Sequence, residues 1–192
     1  MLRMVSLLRD GRGSSLLEFA VVLPILVVFV VGIYDFGGAF NQKQKIEQAA
    51  QEGAIVAGAQ PMSDILTGIA NPHSLHPVVT AVFNSLAGSG VLPNAGASCT
   101  GRPYAPTRPS TPGLTWIYTI PNCSSAYPGD NLVITINRGW VSGGSPVAVG
   151  TTVQVAYPYH WQFNSVIQLL IPGANYAATT QLTETATVHN QM

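Results

Sequence analysis

Sixteen consecutive residues without a charged side chain, from Phe19 to Tyr34, constrain the fold of this chain more than any other feature. Leu16 and Leu17 extend the apolar character past Glu18 toward the N-terminus. A helix from Leu16 to Tyr34 covers roughly 28 Å, close to the hydrocarbon thickness of a bilayer. Its many valines and isoleucines do not prevent a helix, because backbone groups in lipid must be bonded within the segment. We therefore predict a membrane-spanning helix at about 16–34.

The same helix is predicted to continue outside the membrane, so that it runs over 14–58. Small and apolar residues recur beyond the span with the spacing of one helical stripe. They are Ile46, Ala49, Ala50, Gly53, Val56 and Ala57.

The arginines of the N-terminal tail predict the orientation of the span. Arg3, Arg9 and Arg12 precede it, and the positive-inside tendency keeps such a short basic tail in the cytoplasm. The alternative is a secretory signal peptide cut after Ala39, where small residues have a suitable spacing. The apolar run is long for a signal peptide, and the continuing helix favours an anchor.

Residues 59–192 are predicted to form an extracytoplasmic domain of the α+β class. Helical spacing of apolar residues predicts a short amphipathic helix at 75–87, with Pro77 near its first turn and Gly88 after its end. Four strand candidates separated by turn-rich segments indicate an antiparallel sheet. They are 116–120, 132–136, 151–157 and 180–188. The helices at 41–58 and 75–87 are the available covers for its apolar face.

The two cysteines, Cys99 and Cys123, form the only pair in the chain. In an oxidising compartment they would form one disulfide, whereas two buried free thiols are the alternative. His73 and His76 stand between prolines and are interpreted as solvated loop residues, so no metal site is predicted. The Pro- and Gly-rich stretch at 88–113 is predicted to be a long loop.

Charge and motif content exclude two broad classes of function. Eight basic residues balance eight acidic ones, so the chain lacks the positive surplus that nucleic-acid binding requires. Only three of the acids, Asp64, Asp130 and Glu184, lie in the outer domain, and no nucleophile-elbow, phosphate-loop or zincin motif is present. We expect neither an enzyme nor a cofactor.

Glu18 is the one carboxylate at the entrance of the apolar segment, and it follows Gly13 in the string GSSLLEF. A carboxylate there costs on the order of 2 to 3 kcal/mol unless it reaches the interface or faces a partner. With this string before a membrane span, the sequence resembles a type IV pilin-like precursor, and more narrowly a TadE-like protein of tight-adherence (Flp) pilus systems. The stretches at 35–54, DFGGAFNQKQKIEQAAQEGA, at 153–161, VQVAYPYHW, and at 182–190, LTETATVHN, resemble the same family.

The resemblance implies a processing event and a set of partners. A prepilin peptidase would remove the basic leader 1–13 after Gly13, so that the mature chain begins at Ser14 and Glu18 becomes its fifth residue. Glu18 and Phe19 would then act in helix assembly with other pilins and with pilus platform proteins. The protein would be a single-pass protein of the bacterial inner membrane and a minor subunit or assembly component of an adhesive pilus. An uncut anchored binding domain and a domain released by signal peptidase remain the alternatives.

Overall fold

The structure is a computed structural model, and it describes residues 11–66, 70–92, 99, 105–107, 113–145, 148–163 and 179–191. The described residues separate into two compact units. The first contains residues 11–39 and 160–163, and the second contains the described residues of 40–159 together with 179–191.

Helix α1 (Gly11–Ala59) is 49 residues long and confirms the long N-terminal helix predicted over 14–58. Pro24 lies inside it, and the helical assignment is continuous through that residue. Proline removes one backbone hydrogen bond from a helix, so α1 tolerates the loss of that bond without ending.

Three short elements follow α1 in the second unit. Helix α2 (Ser63–Leu66) is a single turn, and a 3₁₀ turn (His73–Leu75) leads directly into helix α3 (His76–Gly88). Pro77 lies in the first turn of α3, where a missing backbone N–H costs nothing. The helix predicted at 75–87 is thus confirmed within one residue at each end.

Four strands form one sheet in the order β1-β2-β3-β4, which confirms the predicted α+β class. They are β1 (Thr115–Ile120), β2 (Leu132–Val141), β3 (Val149–His160) and β4 (Thr179–His189). Strand β2 pairs antiparallel with both β1 and β3. Strand β2 is longer than the predicted strand at 132–136, because pairing with β3 resumes after a register shift, with Trp140 opposite Gly150.

The core of the second unit lies between one face of the sheet and two helices, which are α3 and residues 40–59 of α1. This arrangement confirms the predicted cover helices. Helix α1 contributes small side chains and Ile46, while α3 and the sheet contribute larger ones. The fully buried members include Ile46, Ala49, Ala50, Ala57, Val78, Val79, Val82, Leu86, Trp116, Tyr118, Ile134, Ile136, Val153 and Val155.

Gly53 marks the closest approach of α1 to its neighbours. A Cβ atom at this position would lie 2.5 Å from Cγ2 of Val82 and 3.3 Å from Cγ1 of Val153. The close approach of α3 and β3 therefore favours glycine at this position. Its backbone conformation is that of an ordinary helix and does not itself need glycine.

Cys99 and Cys123 form a disulfide, with their Cα atoms 4.8 Å apart. Both residues are buried, and the Tyr157 hydroxyl donates a hydrogen bond of 3.2 Å to the carbonyl oxygen of Cys123. The pairing expected for an oxidising compartment is thus present in the structure. Most of the loop predicted at 88–113 lies outside the described residues.

The histidine pair corrects one sequence interpretation. His73 is exposed in the 3₁₀ turn, but His76 is the first residue of α3 and its side chain is half-buried. The prediction of a solvated loop residue was wrong for His76, because the two prolines flank the start of a helix. Among the described residues, no three or more His, Cys, Asp or Glu residues are grouped as metal ligands.

Candidate functional site

The candidate site is the apolar segment of α1, residues 16–34, whose large side chains are mostly exposed. The exposed members are Leu16, Leu17, Phe19, Val21, Val22, Leu23, Ile25, Leu26, Val27, Phe29, Val30, Ile33 and Tyr34. Each Å² of apolar surface left in water costs about 25 cal/mol, and soluble monomers rarely expose a continuous patch of this kind. In the part of the chain described, Ser15–Ala59 is the one helix long and apolar enough to cross a membrane.

The predicted processing residues precede this segment, and the predicted assembly residues lie at its start. Gly13 and Ser14 lie in the first turn of α1. Glu18 is exposed five residues after Gly13, about 7.5 Å along the helix axis, and Phe19 beside it is also exposed. The predicted pair Cys99 and Cys123 belongs to the second unit, so the disulfide serves that domain's fold.

Asp35 ends the apolar segment and is buried, with 2% of its surface exposed. Its Oδ2 atom accepts a hydrogen bond of 2.7 Å from the backbone N–H of Phe163, a residue of the same compact unit as Asp35. The ring of the next residue, Phe36, packs edge-on against Trp161 with centroids 5.3 Å apart. A hydrogen bond compensates the cost of removing this carboxylate from water. Sequence reasoning missed this role, although a lone acid after sixteen uncharged residues was the available signal.

At the other end of α1, Arg138 satisfies the terminal carbonyl groups from a buried position in β2. Its side chain is 0% exposed. The guanidinium donates to the carbonyl oxygens of Ala57 and Gln60, the latter at 2.8 Å, and Nη2 lies 2.8 Å from Sδ of Met62. Burial lowers the pKa of Arg138, and the negative charge of Asp64 opposes that effect. A cation at a helix C-terminus is favourable because the last carbonyls have no partners within the helix.

Asp64, Asn71, Ser74, His76 and Tyr118 form a polar cluster. The first three lie between α1 and α3, His76 begins α3, and Tyr118 lies in β1. Oδ2 of Asp64 accepts a hydrogen bond of 2.8 Å from the Ser74 backbone N–H, while Oδ1 of Asn71 lies 3.1 Å from Nε2 of His76 and 3.4 Å from the Tyr118 hydroxyl. These bonds join α2, the 3₁₀ turn, α3 and β1. The cluster holds the helices on the sheet.

The pKa values of this cluster follow from its burial and its hydrogen bonds. Burial raises the pKa of Asp64, but hydrogen bonds from Ser74 and from the Asp64 backbone, together with the positive charge of Arg138, outweigh it, so that the net shift is downward. Burial lowers the pKa of His76, and the neighbouring His73 adds to the shift. Burial raises the pKa of Tyr118, and elsewhere in the core it raises that of Tyr157 to about 12. Both tyrosines therefore remain protonated hydrogen-bond donors at neutral pH.

An apolar helix with exposed side chains and a disulfide-bonded α+β unit fit a membrane-anchored protein. A family model described as TadE-like protein matches residues 13–54. This match confirms the resemblance drawn from the sequence, and it begins at Gly13. The TadE-like class is structural and non-enzymatic, and it indicates a pilin-like component of a tight-adherence pilus. Comparison with curated proteins and with solved structures gives no match.

Proposed function

We propose that this chain is a minor subunit or assembly component of a tight-adherence (Flp) type IV pilus, and that it supports pilus biogenesis and surface adhesion. One observation carries the proposal. The segment matched by the TadE-like family model, 13–54, contains the whole apolar segment whose side chains are exposed. Such a surface needs lipid or the apolar helices of other subunits to cover it.

Processing after Gly13 is part of the proposal. The TadE-like family match begins at Gly13, the residue after which a prepilin peptidase would cut. The bond after Ala39, which signal peptidase would cut, lies in the interior of α1, and Ala39 is buried. Proteases cut most readily where the backbone is exposed and weakly held. The start of the family match thus supports cleavage by a prepilin peptidase, and the burial of Ala39 argues against signal peptidase.

Removal of the leader 1–13 would give Glu18 a partner. Cleavage creates an ammonium group on Ser14, and that group would pair with Glu18 of a neighbouring subunit in a bundle of apolar helices. The attraction between opposite charges is strong in such a low-dielectric environment and offsets the cost of burying either group alone. Cleavage also removes Arg3, Arg9 and Arg12, which hold the N-terminus at the cytoplasmic face.

The location in the proposal is the bacterial inner membrane, with the N-terminus cytoplasmic and 59–192 outside. The basic tail supports this orientation. The disulfide in the outer domain also supports it, because such bonds persist in oxidising compartments. The proposed partners are the membrane, a prepilin peptidase, other pilins and the platform proteins of pilus assembly. The alternative is an extracytoplasmic binding domain, either anchored or released by signal peptidase.

The test is the intact mass and N-terminal sequence of the chain recovered from membranes of cells with a functional prepilin peptidase. A start at Ser14 is expected. A start at Phe40 would replace the proposal with a secreted domain, and an uncut start at Met1 would replace it with a plain anchor.

Gly13→Val sharpens this test, since a branched side chain at the cleavage site should block recognition by the peptidase. We expect more than a tenfold loss of the trimmed form, on the order of 1.4 kcal/mol or more in transition-state recognition. Gly32→Val is the matched control, because an added side chain at Gly32 meets open space. Trimming of the Gly13→Val chain at the same bond would argue against this peptidase.

A further inference from the structure

Aromatic side chains of the first unit lie at the end of the apolar segment. Within the first unit, Tyr34 and Phe36 lie at the end of the apolar segment and remain 79% and 60% exposed. Trp161, which follows β3 directly, is half-buried and packs against Phe36. Phe36 and Trp161 therefore contact each other just after the uncharged run ends, and Tyr34 is the last residue of that run.

Tryptophan and tyrosine are enriched at the boundary between hydrocarbon and headgroups, because their rings are apolar and their N–H or O–H groups reach water. This boundary is where the end of a span must lie. The uncharged run ends at Tyr34, so the position of these aromatics along the chain coincides with the boundary.

Asp35 is the residue that makes the arrangement compatible with a membrane surface. A carboxylate beside the hydrocarbon layer is costly unless it is bonded. The N–H of Phe163 meets Oδ2 of Asp35 at 2.7 Å, and the side chain is almost completely buried. The same bond fixes the start of the β3–β4 connection to α1.

Charge is also absent where it would oppose this contact. The sequence from Gly139 to Thr183, which contains Trp161 and Phe163, has no Asp, Glu, Lys or Arg. Nothing in this stretch requires the strong hydration of an ionised lysine or carboxylate.

We propose that Tyr34, Phe36 and Trp161 form an interfacial aromatic contact with the headgroup layer of the membrane that α1 spans, and that Asp35 positions Trp161 in this contact. The inference rests on the membrane anchoring in the proposed function but requires neither processing nor pilus assembly. The occupant of the surface is the lipid of the protein's own membrane.

The experiment is tryptophan quenching in the full-length protein reconstituted into phosphatidylcholine vesicles that contain lipids brominated either near the headgroup or near the chain end. Trp161 is one of three tryptophans. We expect shallow bromines to quench the wild-type protein and to quench Trp161→Phe clearly less, whereas Trp140→Phe should behave like the wild type. Equal shallow quenching of wild type and Trp161→Phe overturns the proposal, as does stronger quenching of Trp161 by deep bromines.

Asp35→Ala tests the positioning role, with Asp35→Asn as the conservative variant that keeps an acceptor oxygen. Shallow quenching of Trp161 should fall in the alanine variant and persist in the asparagine variant. Unchanged quenching in the alanine variant overturns the role of Asp35. Resistance to alkaline extraction is measured on the same vesicles, so a chain that does not insert contradicts the anchoring itself, whereas an inserted chain with unquenched Trp161 contradicts only this inference.

Discussion

A side chain with a permanent charge and no solvent exposure needs a partner for each of its donors, and Arg138 finds them at the end of α1. It donates to the carbonyl oxygens of Ala57 and Gln60. These carbonyls belong to the last turn of the helix and the residue after it, so one side chain joins the helix end to β2.

We expect Arg138→Met to lower the free energy of unfolding by about 3 kcal/mol, because it leaves buried carbonyl groups without donors. Arg138→Lys keeps the charge but loses the planar fork and should cost less. The control is Lys43→Met, since Lys43 forms a partly exposed ion pair with Glu184 at 3.2 Å, and such pairs contribute about 1 kcal/mol or less. Denaturant titration of the full-length protein in detergent micelles measures all three, and equal losses for Arg138→Met and Lys43→Met would contradict the role of Arg138.

His76 and Asp64 should make the domain less stable in acid. Each has a pKa below its ordinary value in the folded state, so each binds fewer protons when folded than when unfolded. The free energy of unfolding then falls as pH falls. We expect a first decrease beginning near pH about 6.5 and a second below about 3.9, the ordinary pKa values of histidine and aspartate. Denaturant titrations across pH measure this, and His76→Gln should remove the first decrease only.

The sequence of β2 contains a signal for the burial of Arg138. Leu132, Ile134 and Ile136 alternate with partly exposed residues, and Arg138 continues the same parity toward the core. Asp35 is different, because its partner is a backbone N–H 128 residues away. No spacing rule reaches that far, so tertiary packing alone decides its burial.

At the scale of elements, residues 40–59 of α1 pack small side chains against α3 and the sheet. The stripe predicted from the sequence is buried in the structure except for Val56, which is half-buried. Small side chains there let the backbones approach closely, and Gly53 is the point where no further atom fits.

We expect Gly53→Ala to destabilise the protein by about 1 kcal/mol. Overpacking against Val82 costs roughly 1 to 3 kcal/mol, while alanine returns up to about 1 kcal/mol of helix propensity. Gly88→Ala, at the end of α3 with open space around it, is the control and should be neutral or slightly stabilising. Adding Val82→Ala to Gly53→Ala should recover part of the loss in a double-mutant cycle, and strict additivity of the two losses would contradict the contact.

The elements themselves were largely predictable because their patterns are local. Alternating apolar residues between turn residues predicted the four strands. Helical spacing of apolar residues predicted α1 and α3 nearly to their ends. The extension of β2 to Val141 was not predictable, because it depends on pairing across a register shift between Asn137 and Trp140. Gly139, between those two residues, is a local signal of such an irregularity, but the resumption of pairing opposite Gly150 depends on the partner strand.

At the scale of the whole molecule, the apolar side chains of 16–34 are exposed in the single chain. They need lipid or other protein chains to cover them. Within that segment Glu18 is the one side chain that carries a charge at neutral pH. Its contribution should therefore appear in assembly and not in the stability of the outer domain.

We expect Glu18→Ala to insert into the membrane normally but to enter pili at least roughly tenfold less often, since tenfold corresponds to only about 1.4 kcal/mol and a buried charge pair exceeds that. The matched control is Glu47→Ala, because Glu47 is an exposed acidic residue of the same helix that lies beyond the apolar segment. Immunoblots of sheared pili and of membranes from the same cells give the ratio. Normal incorporation of the Glu18 variant would remove this residue from the assembly mechanism.

The burial of the disulfide has a consequence for the maturation of the chain. Reduction requires a thiolate to approach one sulfur atom, and both Cys99 and Cys123 are shielded by the core around them. Once the domain has closed over this bond, the bond no longer exchanges with the surrounding thiol pool unless the domain opens. A domain that has folded around its disulfide therefore keeps that bond even where free thiols are abundant, for as long as it stays folded.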